Sequence, residues 1–265
     1  MQYKLGFIGC GNMAQAIAGG GIAKGVVQAR EVIASDPSEA NRDIFANWGC
    51  AAVEDNKEVA SQAQQVLLAV KPQIFPQVAP QLADASDTQI LISIMAGLSS
   101  EKITSLIGKP CRIVRVMPNT PAMVGEGMAG IALGRSAKTG DDALAKELFA
   151  AVGKVVELDE PMIDAINAIS GSGPAYLFYL AEAMERAAVE LGLGDHARQI
   201  VAQTLMGSGK LLAESGEDPI ELRRKVTSPG GTTLAASNHL DAKQVHTAII
   251  EAINAAFARA KELGS

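Results

Sequence analysis

Two glycine-bearing corners carry the residues best suited to chemistry. The early one is Gly9-Cys10-Gly11-Asn12-Met13-Ala14, a G-x-G-x-x-A pattern directly after the apolar run Leu5-Gly6-Phe7-Ile8 and directly before the small-residue segment 13–22. A glycine at position 9 permits a tight turn, and one at position 11 lets backbone approach a pyrophosphate with no Cβ in the way. Ala14 keeps a following helix close to the sheet, and the unpaired N–H groups at the start of that helix attract the anion. Glycines in a turn can be turn residues alone; the placement after a strand and before a helix is what points to a dinucleotide.

The late corner is Val226-Thr227-Ser228-Pro229-Gly230-Gly231-Thr232-Thr233, leading into a short helix expected over 233–237. Read plainly it is a connector. Read chemically, it aims backbone N–H groups and the hydroxyls of Ser228, Thr232 and Thr233 at one point, which suits a small carboxylate. Three further stretches stand where strands should end: Ala69-Val70-Lys71-Pro72, Ala96-Gly97 and Met117-Pro118-Asn119-Thr120-Pro121. Lys71 then lies near phosphate or a substrate carboxylate, and Asn119 and Thr120 lie near the nicotinamide.

Positioning these corners requires a sheet. Residues 2–9 and 31–35 read as the strands of a βαβ unit, and the runs 65–70, 89–95 and 112–117 are apolar without alternation. Helical stretches at 56–63, 73–82 and 99–107 separate them. Such runs suit strands covered on both faces, so the first half is a Rossmann-type, doubly wound parallel sheet of the α/β class, with its ligand edge at the carboxyl ends of the strands. Runs 130–133 and 154–158, flanking a helix that opens at Asp141, extend it. Asp36 lies 22 residues past Ala14, about where an acidic side chain takes the adenosine ribose hydroxyls of NAD and repels the 2′-phosphate of NADP. Standing before Pro37, it can equally start a turn or cap a helix beginning near Ser38.

Strand signals stop near Asp159-Glu160-Pro161, which divides the chain into residues 1–160 and an all-helical domain, 161–265. Met162, Ile163, Ile166 and Ile169 fit one helix face before Ser170-Gly171-Ser172-Gly173-Pro174-Ala175 interrupts it. The helix from there to about Leu191 is apolar nearly all round and must be buried on all sides. Further helices begin near Asp195, at Asp218-Pro219-Ile220-Glu221 and at Asp241. So much apolar helix surface implies a homodimer through this domain.

With 23 basic and 29 acidic residues, a net charge of −6 and no block of like charge, neither nucleic acid nor an acidic membrane is expected as a partner. No signal pattern or apolar span of about 18 residues is present, so the expected place is the cytoplasm. Cys10, Cys50 and Cys111 are too widely spaced for a disulfide framework or a CxxC site, and with His196, His239 and His246 the only histidines, no metal is expected.

In order, GFIGCGNMA, AVKP, MPNTP, SGSGPAY and TSPGGTT make the chain resemble the pyrroline-5-carboxylate reductases over essentially its whole length. The resemblance implies reduction of a cyclic imine to L-proline, the last step of proline biosynthesis, by NADPH or NADH. It implies that the backbone of Ile8, Gly9, Cys10, Gly11, Asn12 and Met13 holds the pyrophosphate, and that Asp36 and Asn56 lie by the adenosine. Ala69, Val70, Lys71 and Pro72, with Ala96 and Gly97, border the dinucleotide. Ser228 and the Thr232 backbone take the substrate carboxylate, and the Thr233 hydroxyl meets the ring nitrogen. It also implies an interlocked helical dimer, often assembled into rings. Ser237 departs from the aliphatic residue usual in the family, and the residue at Asp36 varies within it, so the resemblance leaves the choice of nucleotide open.

Two alternatives fit the same two-domain plan. A β-hydroxyacid dehydrogenase needs a base for the hydroxyl proton, for which Lys210 is the one lysine in a central helical position, and it has no role for SPGGTT. A non-catalytic dinucleotide sensor needs no carboxylate loop at all.

Overall fold

The computed structural model describes residues 1–83, 86 and 88–264. Its sheet forms from β1 (Tyr3–Ile8), β2 (Val32–Ser35), β3 (Ala51–Val53), β4 (Ala63–Leu68), β5 (Ile90–Ser93), β6 (Arg112–Met117), β7 (Gly127–Leu133) and β8 (Gly153–Glu157). Helices α1 (Asn12–Ala23), α2 (Glu39–Asn47), α3 (Asn56–Gln62), α4 (Phe75–Val78), α5 (Ser100–Ile107) and α6 (Ala143–Ala150) join them. The strand order is β3-β2-β1-β4-β5-β6-β7-β8, parallel from β3 to β6. Successive crossovers run outward in opposite directions from β1 and β4, which makes that junction the topological switch point.

Alternation explains why the strands are apolar on both faces. Leu5 and Phe7 of β1, Leu67, Ile92 and Val114 enter one core with Ile17, Leu148 and Phe149. Their neighbours Ile8, Val66, Leu68, Leu91 and Ile113 enter another with Phe75, Leu82 and Ile103. Successive side chains point to opposite faces and helices cover both, so these strands are mostly apolar, and their buried polar residues, Ser35, Ser93 and Arg115, each have a hydrogen-bond or charge partner.

The sheet departs from a wholly parallel one at β7, which runs antiparallel to β6 and parallel to β8. Only residues 118–126 separate β6 from β7, fewer than the dozen or so that a parallel crossover needs. The short strand β3, three residues of Ala and Val, went without a sequence signal because it is too short to show a period. Over 73–82 the expected single helix is α4 followed by a 3-10 turn, Ala79–Leu82, with Pro76 and Pro80 each near the start of a segment.

The chain divides into two compact units, Met1–Ser172 with Ala256–Ser265, and Gly173–Ala255. Residues 161–172 thus pack with the sheet. Arg115 of β6, only 3% exposed, lies 3.7 Å from Glu160 and 3.6 Å from Asp164, and Ile163 joins Met117 and Ala132 in a third small core. The helix expected from Met162 to Ile169 is α7 (Ile163–Ile166), continued by a π-helical turn, Asn167–Gly171; Met162 and Ile169 are exposed.

The second unit holds α8 (Gly173–Glu190), α9 (Ala197–Ser215), α10 (Pro219–Lys225), α11 (Thr232–Ala242) and the first turns of α12 (Val245–Gly264). Asp218 caps α10 by accepting the Ile220 N–H at 2.8 Å. Asp241 lies inside α11 rather than opening the last helix, because Gln244 adopts a positive φ of 55° and breaks the chain there. Along α8, Leu177, Phe178 and Tyr179 are exposed in the single chain. Among the described residues, no helix is long and apolar enough to cross a membrane.

Candidate functional site

Register brings the early corner together. Ile8 pairs with Ser35 on one side and Leu68 on the other, and Leu68 pairs with Ser93. The residues that follow these strand ends therefore emerge at one level on the carboxyl edge. The Gly9 N–H donates to the Ser35 carbonyl at 2.8 Å, and the Ala69 N–H donates to the Ile8 carbonyl at 2.9 Å. Gly9 has a φ of +95°, and a Cβ there would stand 2.9 Å from the Ala69 carbonyl oxygen. Conformation and space both demand glycine at this turn.

Gly11 is different. It precedes α1 in extended conformation, with φ −69° and ψ 179°, and a Cβ added to it would meet nothing within 4 Å. Neither backbone strain nor internal packing calls for glycine there. What the missing Cβ leaves is open space against the first turn of α1, whose N-terminus has no side-chain cap. The only polar side chain drawn to this corner from α1, Gln15, spends its amide on the Cys10 carbonyl at 2.8 Å, so the N–H groups of the first turn remain available to an anion. The start of α1 can thus take an anion, while the Gly9 and Cys10 N–H groups are already donated to Ser35 and Asp36.

Asp36 does more than either sequence alternative requires. One carboxylate oxygen accepts the Cys10 N–H at 2.8 Å; the other accepts the Ser38 N–H at 2.9 Å and the Asn41 amide at 3.2 Å. It ties the glycine loop to the start of α2 while only 9% exposed. A carboxylate has about four acceptor positions, so one is left for a ribose hydroxyl. Arg42 donates to the Asp36 and Pro37 carbonyls at 2.7 and 3.1 Å, fixing the same turn from outside. Beneath it the Cys10 thiol is pushed up to about 12 by burial first and by the Asp36 charge second, and burial pushes Cys50 up to about 11; neither thiol is a nucleophile at neutral pH.

Asn56 caps nothing external with its carbonyl, which accepts the Ser35 hydroxyl at 2.7 Å, while its amide donates to Gln81 at 2.9 Å. It closes the wall of the edge between β2 and α3. Lys71 is exposed on the turn after β4. Ala96 packs with Met117, Ala132 and Ile163. Gly97, at φ +76°, faces the end of α12: a Cβ would lie 2.9 Å from the Leu263 Cβ and 3.3 Å from the Ala260 carbonyl. The loop after β5 is thus propped by the C-terminal helix, a contact with no sequence signal.

At the end of β6, the Asn119 carbonyl accepts the Met128 N–H at 2.8 Å and its amide donates to the Ser170 hydroxyl at 3.1 Å. The structure therefore joins the MPNTP and SGSGP stretches, a pairing that sequence reasoning missed.

The late corner lies in the second unit. Thr227 ends α10 by donating its hydroxyl to the Arg223 carbonyl at 2.7 Å, Gly230 takes a φ of +71°, and the Gly231 N–H closes onto the Ser228 carbonyl at 3.1 Å. A Cβ on Gly231 would collide with the Ser228 hydroxyl oxygen, so that hydroxyl sits over the uncapped start of α11. Helix α11 is longer than the expected 233–237, beginning one residue earlier at Thr232 and running on to Ala242. Among the described residues no hydrogen bond occupies the hydroxyls of Ser228, Thr232 or Thr233. Uncapped N–H groups and uncommitted hydroxyls at one helix start can bind a small carboxylate. Lys210 stands exposed on α9, 3.8 Å from Glu214, an ordinary surface pair.

The 3-2-1-4-5-6 strand order and the glycine turn at its switch point define a dinucleotide-binding protein of the Rossmann class. Family models divide the chain in the same sense. One described as NADP oxidoreductase, coenzyme F420-dependent, matches residues 4–97, and one described as pyrroline-5-carboxylate reductase dimerisation matches residues 160–263. A pyrroline-5-carboxylate reductase of Haemophilus influenzae is 43% identical over 99% of this chain and 98% of its own. The solved structure of such a reductase from Coxiella burnetii superposes with a TM-score of 0.90 at 36% identity, covering all of both chains. One from Plasmodium falciparum, with NADP bound, does so at 0.90 and 30%, also over both whole chains. The chain belongs to the pyrroline-5-carboxylate reductase family.

Proposed function

We propose that the protein reduces the C=N bond of 1-pyrroline-5-carboxylate to L-proline using NADPH or NADH. The observation that carries this reading is the full-length match to reductases of that name, rather than the glycine loop, which many dinucleotide-binding proteins share. Backbone from Ile8 to Met13 holds the pyrophosphate, Asp36 and Asn56 border the adenosine, and Ala69–Pro72 with Ala96 and Gly97 flank the rest. When bound, the nucleotide supplies a hydride.

The substrate's demands match the residues of the late corner. Its carboxylate is taken by the Ser228 hydroxyl and the Thr232 N–H at the start of α11, where the helix dipole favours negative charge. The Thr233 hydroxyl orients the ring nitrogen. A protonated imine is already electrophilic, so the protein's task is placement within near-attack distance rather than strong acid catalysis. That agrees with a corner built of hydroxyls and N–H groups instead of histidines or paired carboxylates. The exposed apolar residues of α8 support a homodimer through the helical domain, assembled further into a ring, working in the cytoplasm.

The test is direct. Purified protein with 1-pyrroline-5-carboxylate should oxidise NADPH or NADH and release proline; nucleotide binding with no turnover would overturn the reading in favour of a sensor.

A further inference from the structure

Hydrogen-bond accounting at the end of β6 leaves one donor without an acceptor. The Met128 N–H, donated to the Asn119 side-chain oxygen at 2.8 Å, fixes which way that amide faces. Its nitrogen then donates to the Ser170 hydroxyl oxygen at 3.1 Å. Ser170 must act as acceptor toward Asn119, so its own proton points elsewhere. Among the described residues nothing accepts it.

The position is held on purpose-built structure. Ser170 lies in the π-helical turn Asn167–Gly171, closed by the Ser172 N–H on the Asn167 carbonyl at 2.8 Å, and such single turns are frequent at functional sites. The turn is anchored to the same strand at a second level, because Arg115 pairs with Glu160 and Asp164 just before it. Glu160 in turn accepts the Ser100 N–H and hydroxyl at 2.6 and 2.7 Å. Arg115 of β6 therefore holds the segment leading into the turn, and Asn119, just past that strand, holds the turn itself.

Sheet topology says what comes past it. The glycine loop sits at β1, and the acidic residue that meets the adenosine ribose in this fold sits at the end of β2. A dinucleotide with its adenosine over β2 and β3 and its pyrophosphate at β1 must lay its other half over β4, β5 and β6. The nicotinamide carboxamide offers a carbonyl acceptor there.

Building on the dinucleotide reading above, we infer that the Ser170 hydroxyl, aimed by Asn119, donates a hydrogen bond to the nicotinamide carboxamide oxygen and sets the rotation of that ring. Ser170 is a cofactor-positioning residue and Asn119 acts through it. A carboxylate at position 119 would still accept the Met128 N–H but would draw the Ser170 proton inward, so Asn119→Asp should mimic Ser170→Ala while leaving the serine in place. Ser170→Thr keeps the hydroxyl.

The experiment compares nucleotide affinities by calorimetric titration with no substrate present. NADH is set against ADP-ribose, and NADPH against 2′-phospho-ADP-ribose, which differ only by the nicotinamide base. Ser170→Ala and Asn119→Asp should weaken the reduced nucleotides about three- to ten-fold, the effect of one neutral hydrogen bond, and leave both base-free ligands unchanged; Ser170→Thr should bind as the wild type does. Equal losses for base-free and complete nucleotides, or no loss in either variant, would overturn the inference while leaving the dinucleotide reading intact. A wild-type protein that binds neither reduced nucleotide would remove both. Should Ser170→Ala fail to fold, Asn119→Asp decides alone.

Discussion

Replacing Asp36 by Asn changes one atom and almost no volume, yet the structure makes it costly. The two carboxylate oxygens each accept a backbone N–H, from Cys10 at 2.8 Å and from Ser38 at 2.9 Å. An amide can turn its oxygen to only one of them, and its NH2 then faces the other donor. A buried N–H left unpaired costs about 1–3 kcal/mol, and the remaining bond loses its charge assistance, so the total is about 2–4 kcal/mol. For a chain of this size each kcal/mol moves Tm by about 2–4 °C, which gives a fall of roughly 5–15 °C. Thermal unfolding followed by circular dichroism without nucleotide reads this. Because the Cys10 N–H belongs to the glycine loop, ADP-ribose and NADH should both bind less tightly to Asp36→Asn. An unchanged Tm, with only the preference between NADH and NADPH altered, would refute the reasoning and reduce Asp36 to a ribose contact.

Other perturbations probe separate parts of the chain. Arg115→Ala strands Glu160 and Asp164, whose side chains are 20% and 21% exposed, and should destabilise by about 3 kcal/mol, the low end for breaking a buried pair; a urea midpoint equal to wild type would contradict this. The thiols of Cys10 and Cys50 are raised from 9.0 to about 12 and about 11, so above pH 9.0 the unfolded chain loses protons that the folded chain keeps. Stability should then fall by about 1.4 kcal/mol per pH unit per thiol, with no effect below that range. Cys10→Ala should shed about half of that alkaline slope, and an identical slope would show that the Cys10 thiol ionises as readily folded as unfolded. Thr233→Ala should cut turnover while leaving nucleotide affinity nearly intact; unchanged turnover would take Thr233 out of the mechanism.

Residues read in isolation revealed the early corner well, because its requirements are local: a strand end, a glycine turn and a helix start follow one another within residues 5–14. The apolar runs disclosed the sheet for a related reason, since strands covered on both faces admit few polar residues. What stayed hidden was long-range. The antiparallel entry of β7 depends on the length of a connection, β3 is too short to carry a period, and the docking of α7 depends on Arg115, which in sequence is one of two arginines in an otherwise apolar strand. Asp36 was legible as an acid at a strand end, but its bond to Cys10 required the parallel pairing of β1 with β2. The Asn119–Ser170 pair joins residues 51 positions apart and could be seen only once both were folded. The late corner was legible in its residue types, while the length of α11 was not, because Ser, Asn and Asp within it weaken the helical signal.

The account's central claim is that hydride reaches the imine carbon of a small cyclic imino acid. Its most direct measurement is mass spectrometry of the product formed from 1-pyrroline-5-carboxylate and reduced nucleotide carrying deuterium at the transferable position of the nicotinamide ring. The account predicts one deuterium per molecule of L-proline, located on the ring carbon that neighbours nitrogen and bears no carboxylate. Proline formed without that label, or nucleotide consumed with no labelled proline at all, would contradict it.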